Sequence, residues 1–166
     1  MSKWLLEKYV LNDTYVSSNE LTIWVLHADK TPPHIGVSSE KLFYSLKING
    51  KDEGLELNSL LNLIHKKRIP TLAITLTNTL KEIELKKTFD LFDSKIMQEQ
   101  TCLTPIVELL TPQFNDLILV ELLDKLDQKK EIKSVYGFNL PAGFEGIPIY
   151  TRETIQQRIN AVQPSE

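Results

Sequence analysis

Residues 21–48 read LTIWVLHADKTPPHIGVSSEKLFYSLKI, and the fold is decided by how this stretch is parsed. Residues 21–28 form a near-continuous apolar run with β-branched and aromatic members. Such a run marks a strand covered on both faces. Residues 29–33, DKTPP, follow as a turn, because two prolines fix φ and cannot donate to a ladder. Residues 34–37 and 41–48 then form a hairpin. Side chains alternate along a strand, so Leu42, Tyr44, Leu46 and Ile48 share one face. Pairing apolar with apolar sets Ile35 opposite Tyr44 and Val37 opposite Leu42. The same register sets His34 opposite Ser45 and Gly36 opposite Phe43. Residues 38–41 lack the Asn-Gly signature of a tight hairpin, and a looser four-residue turn is expected there.

On the N-terminal side, residues 3–16 carry Trp4, Leu5, Tyr9 and Val10 in a mixed pattern that suits a short helix or an irregular packing arm. On the C-terminal side, residues 49–54 read as the next turn. Asn58 or Ser59 caps a helix with Leu60, Leu61 and Ile64 inward, and Lys66, Lys67 and Arg68 crowd its last turn, where cations suit the exposed carbonyls. Pro70 closes it, and residues 72–76, LAITL, form a strand. Thr79 followed by Glu82 has the capping-box spacing, and a helix is expected over residues 80–92. A polar loop, DSKIMQEQ, leads to TCLTPIVELL, where Thr104 before Pro105 marks a helix start. Residues 117–126 predict a strongly apolar helix and residues 131–140 a strand. PAGFEGIP is a loop, and Thr151 caps a last amphipathic helix with Ile155 and Ile159 inward. Hairpins among the strands, with helices between them, indicate an α+β single domain over residues 1–166. It has a mixed or antiparallel sheet, a hairpin at 34–48 and helices packed around it.

The chain of 166 residues has ordinary globular composition, with 42% hydrophobic and 25% charged residues. At this size roughly two thirds of the unfolded surface is buried on folding, so the core needs no covalent staples. Basic residues number 19 and acidic ones 22, interspersed, for a net charge of -3; no nucleic-acid footprint is expected. The lone cysteine, Cys102, allows no intramolecular disulfide and fits a reducing compartment. The N-terminus lacks a long apolar run and a small-residue cleavage site. No stretch approaches 18 consecutive apolar residues, so no membrane span is expected. The expectation is a soluble cytoplasmic protein.

Phosphate-binding, dinucleotide-binding, zinc-protease, CxxC and GxSxG motifs are all missing from the sequence. Histidines stand only at 27, 34 and 65, with no ligand spacing among them, so neither a metal nor a cofactor is expected. One pair of residues suggests chemistry. Cys102 lies two residues before the helix start at Thr104, where exposed N–H groups and the helix dipole favour a thiolate. His34 opens a strand behind a rigid turn and supplies a base. Ser45, its expected cross-strand neighbour, orients the imidazole, which is the third role in a Cys–His arrangement.

A strand beginning HIGV, a second strand, and a later TCL at a helix start resemble the circularly permuted papain-like folds. These are the permuted relatives of the NlpC/P60 peptidases and the lecithin:retinol acyltransferase-like proteins. The histidine precedes the cysteine there, as His34 precedes Cys102 here. The match spans roughly residues 21–110, and the Asn-Cys-Glu-His-Phe pattern of the acyltransferase branch is not present. The resemblance implies Cys102 as nucleophile and His34 as general base in hydrolysis or transfer at an amide or ester, on a small-molecule or peptide substrate. The residues also admit a plainer reading. A lone cysteine is ordinarily a small buried hydrophobe, and a histidine after Pro-Pro is ordinarily a hydrogen-bonded structural one. The chain is then a non-catalytic interaction protein, of the immunity or partner-binding type, with a protein partner.

Overall fold

The structure is a computed structural model that describes residues 3–5, 11–12, 15, 19–47, 50–92, 101–114 and 117–162. Its centre is the strand expected from the apolar run, β3 (Thr22–Leu26), whose five residues are all buried. On one side β3 pairs antiparallel with β4 (His34–Ser39), on the other with β7 (Thr71–Leu76). The sheet continues through β5 (Leu42–Lys47) to the edge strand β6 (Gly50–Glu56), and in the other direction through β8 (Ile132–Phe138). These six strands are antiparallel. A two-residue strand, β2 (Leu11–Asn12), adds to β8 in parallel and completes the order β2-β8-β7-β3-β4-β5-β6. A separate ribbon pairs β1 (Lys3–Leu5) with β9 (Gly146–Pro148). The result is the expected α+β single domain.

Helices cover both faces. Under α1 (Leu57–Lys67) lie Trp24, Leu26, Phe43, Ala73 and Phe138, met by Leu57, Leu60 and Ile64 of the helix. The opposite face presents Ile23, Val25, Ile35, Val37, Tyr44, Leu46, Leu72 and Ile74. It is sealed by α2 (Glu82–Phe89), α3 (Thr104–Leu110) and α4 (Leu119–Gln128), with Ile155 of α5 (Arg152–Val162) packed on it. Strand alternation thus feeds two cores from the same residues, which is why residues 21–28 show no polar face.

Several expectations need correction. The β4–β5 register is Val37↔Tyr44, Ser38↔Phe43 and Ser39↔Leu42, two residues away from the expected one. Face assignment survives, because a shift of two preserves parity. The slip came from reading residues 38–41 as loop. Ser38 and Ser39 are instead buried strand residues. Ser38 Oγ accepts from Trp24 Nε1 at 2.8 Å, and Ser39 Oγ donates to the Leu80 carbonyl. Only Glu40 and Lys41 turn, Glu40 in a left-handed conformation with φ 59°.

The segment read as a turn at 49–54 is mostly the edge strand β6. Its GKDEGLE sequence lacks apolar alternation because the strand is only partly covered. Between Phe43↔Leu55 and Tyr44↔Glu53 the register jumps, and Gly54 takes up the extra residue at φ 70°. Strand β6 runs directly into α1, so the helix begins at Leu57 with no side-chain cap, and neither Asn58 nor Ser59 caps it; the Leu57 N–H donates to the Lys41 carbonyl at 2.8 Å. At α2 the boxed pair is Lys81 and Glu84, two residues beyond the expected one, with the Lys81 N–H donating to Glu84 Oε2 at 2.8 Å. In the N-terminal arm, expected as a short helix or an irregular packing arm, Lys3–Leu5 and Leu11–Asn12 are strand, and the expected PAGFEGIP loop contains β9. Thr151 does cap α5, accepting from the Thr154 N–H at 3.2 Å. The expectations for Ile48, Tyr9, Val10, the DSKIMQEQ loop and the Ile159 side chain lie outside the described residues.

Candidate functional site

His34 is the first residue of β4, and the preceding Thr31–Pro32 bond is cis. It stands opposite Leu26, so its side chain takes the α1 face that Leu26 and Trp24 also occupy. Ser45 shares that face through its parity with Phe43. The two side chains meet: His34 Nε2 lies 3.1 Å from Ser45 Oγ. The expected partnership holds in spite of the shifted register, because a long imidazole reaches its diagonal neighbour across the sheet.

The contact extends outward. Ser45 pairs with Asp52 across β5 and β6, and Ser45 Oγ donates to Asp52 Oδ2 at 2.8 Å. Lys47 Nζ sits 2.9 Å from Asp52 Oδ1. A relay therefore runs from a half-buried imidazole, through a fully buried hydroxyl, to a carboxylate and an ammonium at the surface. Desolvation lowers the His34 pKa to about 4, against the opposing pull of the Asp52 charge, with Lys47 and His27 adding to the lowering. The imidazole is neutral at ordinary pH. His27, in a left-handed conformation with φ 56°, is also lowered, first by burial and then by Lys30.

Asp52 is not among the residues expected at the site, because the polar sequence of residues 51–54 reads as a turn. The Asn-Gly pair at 49–50 was the available signal. Asn-Gly favours tight hairpins, and a strand placed after it would have brought Asp52 near Ser45.

Cys102 is elsewhere. It precedes α3, as expected, and packs with the core on the α2–α3–α4 face. Its sulfur is near the backbone of Ile35, one residue along from His34, but Ile35 points to the opposite side of the sheet from His34. The structure brings His34 and Ser45 together and leaves Cys102 across the sheet from both. Burial pushes the Cys102 thiol up to about 11, outweighing the backbone N–H groups of Ile35, Cys102 and Leu103 that favour the thiolate. The nearby Tyr150 hydroxyl is likewise raised by burial.

Among the described residues, no group of three or more His, Cys, Asp and Glu side chains is placed to hold a metal ion, and no helix is long and apolar enough to cross a membrane. Comparison with protein-family models, curated sequences and solved structures gives no match. The resemblance to permuted papain-like folds rests on the HIGV and TCL patterns of the sequence.

Proposed function

We propose that this chain is a cytoplasmic protein-interaction module, of the immunity or partner-binding type, and not a cysteine hydrolase. One observation carries this reading: the sheet lies between Cys102 and His34, and the shifts of the two groups agree, running opposite to what a nucleophilic pair requires. A working Cys–His pair lowers the thiol and raises the imidazole, because thiolate and imidazolium stabilise each other. Here burial raises Cys102 to about 11 and lowers His34 to about 4, with the sheet between them. Alkylation by iodoacetamide tests this. The rate at Cys102 is expected to climb steadily with pH beyond 9 and to be the same in His34→Ala. A plateau at neutral pH that disappears in His34→Ala overturns the reading and restores the cysteine hydrolase.

The relay favours a second reading, in which His34 acts as a general base toward water in amide or ester hydrolysis and Cys102 takes no part. A neutral imidazole, held in place by the contact of its Nε2 with Ser45, supports it. Turnover of p-nitrophenyl acetate separates the possibilities. Loss in His34→Ala with retention in Cys102→Ala supports the base. Loss in Cys102→Ala supports the papain-like pair. Equal background rates in all three proteins support the interaction module.

A further inference from the structure

We infer that Asp52 is a positioning residue, which acts through Ser45 to hold His34 as the Nε2–H tautomer and leaves Nδ1 as an open acceptor for a ligand's hydroxyl or amide hydrogen. This rests on the second reading above for its functional meaning, while the tautomer follows from proton counting alone. A carboxylate offers only lone pairs, so the 2.8 Å contact between Ser45 Oγ and Asp52 Oδ2 uses the single hydroxyl proton of Ser45. Ser45 then faces His34 with a lone pair. At 3.1 Å that contact is a hydrogen bond only when Nε2 carries the proton. A neutral imidazole has one N–H, which makes Nδ1 the acceptor.

Lys47 completes the arrangement on the solvent side by occupying Asp52 Oδ1, so that Oδ2 stays with Ser45. The charged and titratable groups around the ring are Asp52, Lys47 and His27. No described residue hydrogen-bonds Nδ1 of His34. The ring is half-buried, so a ligand that covers it must donate a hydrogen to Nδ1 or leave that acceptor unpaired, at a cost. The same geometry that orients a catalytic base therefore also makes a recognition point for a protic group.

Nitrogen-15 NMR of the full chain, labelled at histidine and recorded at pH 7, reads the tautomer directly. The expected wild-type pattern is a protonated Nε2 and an unprotonated Nδ1 at His34. In Asp52→Ala the Ser45 proton is released to turn toward Nε2, and the population moves toward the Nδ1–H form. In Ser45→Ala the single-tautomer pattern is lost, and adding Asp52→Ala on that background changes it no further. Unmoved His27 and His65 tautomers, with preserved amide dispersion, show that each variant is folded. A wild-type Nδ1–H form overturns the inference, as does an unchanged His34 pattern in both folded variants. Diethyl pyrocarbonate, mapped by mass spectrometry, probes the open nitrogen: modification of His34 is expected, and protection of His34 overturns the open acceptor. If p-nitrophenyl acetate turnover is indifferent to His34→Ala while the tautomer result holds, the base reading fails and the positioning role of Asp52 stands.

Discussion

The two faces of the central sheet solve the same packing problem differently. The α1 face is covered by one helix and filled with aromatic rings. Trp24 stacks on Phe138 with centroids 6.1 Å apart, and Tyr15 packs edge-on to Trp24 and to Tyr136, each at 5.2 Å. The opposite face is mostly aliphatic, with Tyr44 and Phe89 in ring contact at 5.6 Å, and lies under α2, α3 and α4. Large rings let a single helix close a core, and at the β4–β5–β6 end they leave room for polar groups. His34 and Ser45 can be buried there because Asp52 still reaches solvent, with its side chain 20% exposed. On the other face Cys102 has hydrocarbon and backbone around it and, among the described residues, no charged partner, and its thiol is driven toward neutrality. Whether a buried polar group acquires a relay is therefore set by its distance from an edge.

The largest effect is expected at Trp24, which is fully buried and donates to Ser38. Trp24→Ala should cost about 4 kcal/mol in chemical denaturation, from lost burial and the cavity left behind. A loss below about 1 kcal/mol would show that the aromatic face is not a tightly packed core. Gly36→Ala comes next. A Cβ at Gly36 would lie 2.2 Å from Phe43 Cζ and 3.0 Å from the Tyr44 carbonyl oxygen. Phe43 is itself fully buried and has little room to move. Overpacking of this kind should cost about 2–3 kcal/mol, measured in the same way.

His34 sharpens the comparison through pH. Its folded pKa of about 4 lies below the ordinary histidine value of about 6.5, so the unfolded chain takes up the proton first as pH falls. The contribution to stability is complete above pH ~6.5 and is lost between there and pH ~4, on the order of 3 kcal/mol in all. His34→Ala should flatten the dependence of stability on pH in that window. An unchanged slope would mean that another group dominates it. The smallest effect belongs to the surface, where Arg152 Nη2 meets Glu121 Oε1 at 2.9 Å with both side chains exposed. Glu121→Gln should change the melting free energy by less than about 1 kcal/mol, and by less still in high salt.

The limits of sequence reading follow the same division. Where a segment is buried on both faces, its composition announces it. Residues 21–28 and 72–76 read as strands, and Trp24 and Phe43 read as core. Where burial is partial or polar, composition misleads. Ser38 and Ser39 look like a turn, but their hydroxyls are satisfied by Trp24 and by the Leu80 carbonyl, a partner 41 residues away from Ser39. Residues 51–54 look like a loop because an edge strand beside solvent needs no apolar alternation. Asp52 went unrecognised with them.

Local sequence pattern is enough for the class of fold, the central strands and the face that His34 and Ser45 share. Alternation, β-branching and proline geometry are local properties, and a register error of two leaves every side chain on its own face. Only the tertiary structure decided that Asp52 closes the relay and that Cys102 stands across the sheet from His34. Which face a helix start lands on depends on how the whole chain returns to the sheet, and no spacing between two residues encodes that.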